Sequence, residues 1–217
     1  MKPEQAVAHT VYALRNAPLL TYPYPHFHAH EVFPWPFYDD LLKSLPGNEA
    51  YQPLAGGFKH RVAHSSLDFV KAYDTPHFAS HVLSIFSRFF FDRYPHNQRP
   101  RFRHEIRFIR DEEGYSIGPH TDAPHKVVSL LFYLPAEYGY SDHGTGIYVP
   151  DDGVKTCPGG PHYPFDGFSE VWRAPYVPNS CFGFWKTDNS WHAVQQICEK
   201  IQRDVMLFNI YEDSAGT

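Results

Sequence analysis

The second half of the sequence carries a series of short apolar and aromatic segments, and this series most constrains the fold. Each segment has the length and composition of a β-strand and is bounded by turn-forming residues. The segments are 103–110, 126–134, 146–150, 180–185, 191–197 and 203–211. Because consecutive short strands bury their apolar faces by packing in sheets, the pattern predicts a β-sandwich or jelly roll.

The first hundred residues predict helices that support these strands. The strongest helical pattern has Phe78, Val82, Phe86 and Phe89 on one face at a spacing of 3.6 residues. The predicted elements are helices at 4–15, 36–46 and 75–95, an extended strand at 23–33, and loops at 51–66 and 151–179. The fold class is therefore expected to be mainly β with flanking helices (α+β).

Composition limits the organisation and the partners of the chain. We expect one domain over 1–217, with 1–100 as N-terminal helical and strand support and 101–213 as the β-strand core. The formal net charge of −5 gives no general attraction to nucleic acid or to anionic membranes, so neither partner is expected. The absence of a long apolar run predicts no membrane span. The sequence does not indicate an oligomeric state.

Three cysteines, Cys157, Cys181 and Cys198, form an odd set without CxxC spacing. This pattern argues against a disulfide framework and against a cysteine-based zinc site. Because the N-terminus also lacks the apolar run of a signal peptide, we expect a cytoplasmic protein.

A histidine and an aspartate, His120 and Asp122, are separated by one residue in the segment "GYSIGPHTDAPHKVV". Alternate residues of an extended segment project to the same side, so both side chains can reach one site. Two histidines and one carboxylate form the facial triad of non-haem iron(II) oxygenases, which leaves open positions opposite the ligands. The second histidine is expected on a facing strand, and His192 in "NSWHAVQQ" satisfies this requirement.

Arg203 begins the strand that follows His192 and can bind a carboxylate through two N–H groups. On the earlier strand, Tyr133 shares a face with Ser129 and Leu131. If that face lines the barrel, the Tyr133 hydroxyl can give the same carboxylate a second donor.

The segments "GYSIGPHTD", "VSLLFYLP", "GTGIYVP", "WHAVQQ" and "RDVMLFNIY" together resemble the Fe(II)- and 2-oxoglutarate-dependent dioxygenases, in particular their prolyl-hydroxylase-like branch. The resemblance spans about residues 103–211. It implies a double-stranded β-helix (jelly-roll, cupin-like) core. The turn "HGTGIYVP" is a looser match than the other segments, because in the family it often reads GGxT.

The resemblance also implies roles for particular residues. His120, Asp122 and His192 would be the iron ligands, and Arg203, assisted by Tyr133, would bind the distal carboxylate of 2-oxoglutarate. The implied activity uses O2 and couples decarboxylation of 2-oxoglutarate to succinate with hydroxylation of a C–H bond. The substrate would be a small molecule, an amino acid or a peptide.

Several alternatives stay open at this level. Lys126 is a second candidate for the carboxylate anchor, whereas Arg107 and Asn209 are candidates for contact with co-substrate or substrate. Segment 151–179 can be a mobile lid or a rigid cover. The repeated histidines of "PHFHAHEVF" more simply form an exposed strand face than a second metal site.

Two other functions compete with the hydroxylase. One is a cupin-like metalloprotein that uses no 2-oxoglutarate, such as another oxygenase or an isomerase. The other is a catalytically inactive jelly-roll binding module.

Overall fold

A computed structural model describes residues 2–54, 58–65, 67–96 and 98–213 of the chain. The N-terminal region forms the three helices predicted from the sequence; the first two differ from their predicted bounds by one or two residues, and the third is split into α3 and the short α4. The helices are α1 (Pro3–Asn16), α2 (Trp35–Ser44), α3 (Pro76–Ile85) and α4 (Phe90–Arg93). The strands are β1 (His26–His30), β2 (Gln52–Pro53), β3 (Arg61–Ser65), β4 (Arg101–Asp111), β5 (Ile117–His120), β6 (Lys126–Tyr133), β7 (Gly146–Pro150), β8 (Phe168–Arg173), β9 (Ser180–Trp185), β10 (His192–Val194) and β11 (Arg203–Asp213).

The strands form two antiparallel sheets that face each other. The major sheet has seven strands in the order β1-β9-β6-β11-β4-β3-β2, and the minor sheet has four in the order β5-β10-β7-β8. One face of the major sheet packs against the helices, where Leu130, Phe132, Met206 and Phe208 join the main apolar core. The alternate residues of the same strands face the minor sheet, and this interior between the sheets holds the candidate site.

Three sequence predictions about secondary structure need correction. The helix predicted at 75–95 breaks at Phe86, whose buried ring lies against Phe27 and Trp185, so tertiary packing outweighs the helical period. The loop predicted at 51–66 contains β2 and β3, which extend the major sheet beyond β4. The loop predicted at 151–179 contains β8, which pairs with β7. Both missed features depend on pairing with distant strands.

The histidines of β1 do not form one exposed strand face, since His30 alone of the three is exposed. His26 is buried, and His28 lies against Trp172 and Tyr133, where its enclosed Nε2 atom has no hydrogen-bond partner among the described residues. Burial, reinforced by neighbouring His30, lowers the pKa of His28 to about 4. The prediction of an exposed face was wrong because β1 joins β9 at the edge of the major sheet, where β8 lies nearby.

Candidate metal centre

The first histidine of the candidate site is the last residue of β5. The His120 Nδ1 atom lies 2.9 Å from the carbonyl oxygen of Gly118. A carbonyl only accepts hydrogen bonds, so the proton is on Nδ1 and the lone pair on Nε2 is free for a ligand. The backbone of β5 itself thus fixes both the tautomer and the ring orientation of His120.

The second histidine lies directly opposite the first on the neighbouring strand. His192 begins β10 and pairs in register with His120, which places the two ring centroids 4.2 Å apart. Its Nδ1 atom lies 2.8 Å from the carbonyl oxygen of Ser190, so its Nε2 lone pair is free as well. Two backbone carbonyls therefore hold both imidazoles in the tautomer that a metal requires.

The carboxylate follows β5 in a loop rather than continuing the strand. One Asp122 oxygen, Oδ2, accepts a hydrogen bond from the Ser129 hydroxyl at 2.7 Å, and the other, Oδ1, lies 2.9 Å from the Lys126 ammonium. The same Oδ1 atom is 4.0 Å from the His192 Nε2 atom. One ligand atom from each of His120, Asp122 and His192 lies within 4.8 Å of the others. The structure thus brings together the three residues that the sequence predicted.

Electrostatics keep each group in the form that binds a cation. Burial lowers the pKa of His120, with His192 adding to the effect, and burial likewise lowers the pKa of His192. Burial opposes ionisation of Asp122, but the Lys126 ammonium, assisted by the hydrogen bond from Ser129, outweighs it and holds the pKa of that carboxyl below its ordinary value. The cluster therefore presents two neutral imidazoles and one anionic carboxylate, which are the ligand types of a facial triad.

A cavity of about 100 Å³ extends from these three residues into the space between the sheets. The chain segments that form it come from β3, β4, β5, β6, β9, β10 and β11. Its lining residues are Arg61, Ile109, Ile117, His120, Asp122, Lys126, Ser129, Leu131, Thr145, Phe184, His192, Val194, Arg203, Val205, Leu207 and Asn209. The His–Asp–His cluster therefore lies at one end of the cavity and two arginines lie at the other, and apolar side chains line the wall between them.

Arg203 lines this cavity and is 1% exposed. Its guanidinium donates to the Asp111 carboxylate at 2.7 Å, to the carbonyl oxygen of His143 at 2.6 Å and to the Thr145 hydroxyl at 3.2 Å. Two of the five N–H bonds of the guanidinium have no partner among the described residues, so it retains donors for a ligand. The predicted anchor thus lies on the cavity wall, fixed by three contacts.

Tyr133 does not line the cavity. Its hydroxyl accepts a hydrogen bond of 3.0 Å from the backbone N–H of Thr145, whose own hydroxyl contacts Arg203. Tyr133 therefore contacts Arg203 in two ways: its hydroxyl acts through Thr145, and its ring lies 5.5 Å from the central carbon of the Arg203 guanidinium. The predicted direct contact of Tyr133 with a co-substrate stays a prediction.

Of the other residues singled out from the sequence, Lys126 and Asn209 line the cavity and Arg107 does not. Lys126 lines the cavity, but it pairs with Asp122 at the histidine end rather than with the arginines. Asn209 also lines the cavity; it is 4% exposed, and its buried Oδ1 atom has no hydrogen-bond partner among the described residues. Arg107 pairs with Glu105 at a half-exposed position outside the cavity lining.

Segment 156–167 covers the His120 side of the site. The N–H of Tyr163 donates to the Pro119 carbonyl at 2.9 Å, and the Thr121 hydroxyl donates to the Cys157 carbonyl at 2.7 Å. The ring of His162 lies 4.7 Å from that of His120. A Cβ atom at Gly118 would lie 1.9 Å from the Tyr163 carbonyl oxygen, so the close approach requires glycine there. These contacts favour a rigid cover over a mobile lid for this part of segment 151–179.

Two polar residues of the cavity wall were not predicted from the sequence. Arg61 lies in the predicted loop 51–66, and only the pairing of β3 with β4 brings it to the site. Thr145 belongs to the turn "HGTGIYVP", whose sequence indicates no role for its hydroxyl. Chain order alone gives no signal for Arg61, because its partner Asp111 is distant in sequence.

No protein-family model and no curated protein sequence matches the chain, but solved structures do. A prolyl-4-hydroxylase from Pseudomonas putida aligns with a TM-score of 0.57 at 14% identity, covering 96% of this chain and 100% of the other. The epimerase SnoN from nogalamycin biosynthesis, described as non-heme and alpha-ketoglutarate-dependent, gives 0.56 at 11% identity, covering 97% and 82%. The chain has the double-stranded β-helix fold of 2-oxoglutarate-dependent oxygenases. A Trichoplax adhaerens prolyl hydroxylase gives 0.50 at 14% identity, covering 97% and 90%.

These likenesses confirm the predicted fold, in which two antiparallel sheets enclose the site and helices support the larger one. At such low identity they establish the fold alone. No helix among the described residues is long and apolar enough to cross a membrane.

Proposed function

We propose that the protein is an iron(II)- and 2-oxoglutarate-dependent oxygenase that hydroxylates a C–H bond of a small-molecule, amino-acid or peptide substrate. The observation that carries the proposal is the His120–Asp122–His192 cluster at one end of a cavity whose other wall holds Arg203. A metal-binding cupin without 2-oxoglutarate would not need a buried guanidinium facing its metal site. The cavity thus supports the hydroxylase over the alternatives.

The residues present fit iron(II). Both imidazoles have Nδ1 bonded to backbone carbonyls and Nε2 free, and Asp122 is held by Ser129 through one oxygen. Iron bound there supplies the oxygen chemistry that couples decarboxylation of 2-oxoglutarate to succinate with hydroxylation of the substrate. In this proposal His120, Asp122 and His192 are the ligands, as the sequence predicted.

The residues also fit a dicarboxylate co-substrate. Arg203 is fixed by three contacts and retains N–H donors towards the cavity, so it would bind the distal carboxylate. Tyr133 would position Thr145 and, through it, Arg203. The apolar side chains of Leu131, Val205 and Leu207 lie along the cavity and would exclude water from the region between the two ends.

The P. putida and T. adhaerens structures are described as prolyl hydroxylases, and one SnoN structure is described as a complex with Fe3+ and alpha-ketoglutarate. These descriptions support iron and 2-oxoglutarate as the cofactor and co-substrate of this chain. The substrates named for these structures differ from one another, so they do not select a substrate for this chain. We therefore propose the broad class of small molecules, amino acids or peptides.

The test measures binding before turnover. Anaerobic protein should develop a visible metal-to-ligand charge-transfer band when iron(II) and 2-oxoglutarate are both added, and should form succinate when O2 is admitted. His120→Ala should show neither signal. A protein that binds iron(II) but gives no band and no succinate with 2-oxoglutarate would support the cupin-like alternative instead.

We further propose a single functional domain over 1–217 in the cytoplasm. Residues Arg61 and Arg203 line one cavity although they belong to the predicted support and core regions, which supports their being one unit. All three cysteines are free, in keeping with a reducing compartment. Limited proteolysis and cell fractionation would test these two proposals.

A further inference from the structure

Three charged residues form a row across the major sheet at the arginine end of the cavity. Arg61 on β3 and Arg203 on β11 both pair in register with Asp111, which ends β4 between them. Side chains at paired positions of neighbouring strands project to the same face, so all three point into the space between the sheets. Both arginines line the cavity.

The two guanidiniums share one carboxylate. Arg61 donates through Nε to Asp111 Oδ1 and through Nη2 to Oδ2, the latter at 2.8 Å, and Arg203 Nη1 donates to the same Oδ2 atom at 2.7 Å. Arg61 Nη2 and Arg203 Nη1 lie close enough together to contact the same Asp111 oxygen. A second carboxylate in the cavity can therefore reach both guanidiniums at once. A guanidinium pair of this kind has planar donors that suit carboxylate oxygens.

The row carries an uncompensated positive charge. Within the described parts of the chain, Arg61 and Arg203 each have one ion pair, and in both cases the partner is Asp111. The Asp111 side chain is 0% exposed and the Arg203 side chain is 1% exposed, so water screens this charge poorly. Arg203, which is buried, and Arg61, which is half-buried, together carry one more charge than Asp111 neutralises, and this favours the binding of a further anion.

A buried tyrosine packs against the arginine row. The Tyr115 ring lies 4.1 Å from the central carbon of the Arg61 guanidinium, and the residue is 0% exposed. This cation–π contact helps to hold the Arg61 guanidinium in place beside Asp111.

We propose that Arg61 is a second carboxylate-binding residue, which together with Arg203 holds the distal carboxylate of 2-oxoglutarate above their shared counter-ion Asp111. This inference rests on the proposed function and deepens it, because it makes the N-terminal strand β3 part of the co-substrate site. It differs from a purely structural role, in which Arg61 would only neutralise Asp111.

The test uses calorimetric binding of 2-oxoglutarate to full-length protein loaded with manganese(II) under anaerobic conditions. Arg61→Met should weaken binding by about 10- to 100-fold, the range for loss of a hydrogen bond to a charged group, without changing manganese affinity. Arg101→Met, which removes an exposed arginine from β4, is the matched control and should bind as the wild type does. Equal affinity in Arg61→Met and wild type would overturn the inference.

The double variant Arg61→Met/Asp111→Asn separates direct contact from neutralisation. It removes Arg61 together with the charge that Arg61 balances, so Arg203 faces the cavity without a counter-ion. Direct contact predicts that binding stays at least about 10-fold weaker than in the wild type, whereas restored affinity would show that Arg61 serves only Asp111 and would overturn the inference.

Arg61→Lys covers the case in which the methionine variant does not fold. Lysine retains the charge but has no planar fork, so it cannot hold Asp111 and the ligand together, and we expect binding about 3- to 10-fold weaker. Wild-type affinity in this variant would also overturn the inference. Wild-type protein that binds manganese but no 2-oxoglutarate would instead refute the proposed function.

Discussion

The two ends of the cavity are built by different means. At the histidine end, backbone carbonyls of Gly118 and Ser190 orient the imidazoles and leave their Nε2 atoms without protein partners. At the arginine end, side-chain charges orient one another, and the groups are already paired through Asp111. The histidine end can bind a cation because the Nε2 lone pairs of the two imidazoles are free. The arginine end can bind an anion because it carries one more positive than negative charge.

The largest expected effect is at the histidine end. His120→Ala or Asp122→Ala should lower the affinity for iron(II) or manganese(II) by at least about 100-fold, since a three-residue site loses a ligand. Metal titration by calorimetry measures this, and circular dichroism should show an unchanged fold. Substantial metal affinity in both variants would place the metal elsewhere.

Substitution at the other end should separate the two functions. Arg203→Met should weaken 2-oxoglutarate binding, and raise its apparent KM, by about 100-fold while leaving metal affinity within about 3-fold. Asp111 keeps Arg61 as its partner, so the fold should survive. If the apparent KM did not change, the anchor would be wrong, and Lys126, which lines the same cavity, would be the next residue to substitute.

A smaller effect is expected from the hydroxyl that holds the metal-site carboxylate. Ser129→Ala removes the hydrogen bond to Asp122 Oδ2 and should weaken metal binding by about 10-fold. Ser169→Ala is a matched control, because Ser169 donates to Asp151 at the same 2.7 Å distance on the exposed side of the protein. Equal metal affinities for the two variants would show that Ser129 does not orient the ligand.

The smallest effect is on stability. The buried Asn209 Oδ1 atom has no hydrogen-bond partner in the part of the chain that the structure describes, so Asn209→Leu should leave the free energy of unfolding of metal-free protein unchanged or raise it by about 1 kcal/mol. Asn179→Leu is the contrasting variant, because the Asn179 amide exchanges two hydrogen bonds of 2.8 Å with the Phe33 backbone and should be costly to remove. Denaturant unfolding measures both. A large loss in Asn209→Leu would mean that its amide has a structural partner.

The sequence predicted the histidine end more completely than the arginine end. His120 and Asp122 are one residue apart, and His192 begins a strand of its own, so local spacing and residue type were sufficient to select all three. Arg203 was selected for the same reason. Arg61 and Thr145 were not, because no local pattern distinguishes them from surface residues.

The error in the 75–95 helix has a related cause. Its helical period is real over α3, but the buried contacts of Phe86 end the helix earlier than the sequence predicts. The strands β3 and β8 were missed because each lies in a predicted loop and depends on a partner strand for its hydrogen bonds.

The sequence by itself determined the strand-rich core, the double-stranded β-helix fold through its family resemblance, and the residue types that can bind a metal, because these depend on local composition and spacing. The tertiary structure decided which nitrogen of each histidine faces the cavity, where Lys126 and Tyr133 lie, and that Arg61 shares Asp111 with Arg203. These features depend on strand register and on backbone carbonyls brought together by folding, and register is set by the packing of whole sheets rather than by any one segment.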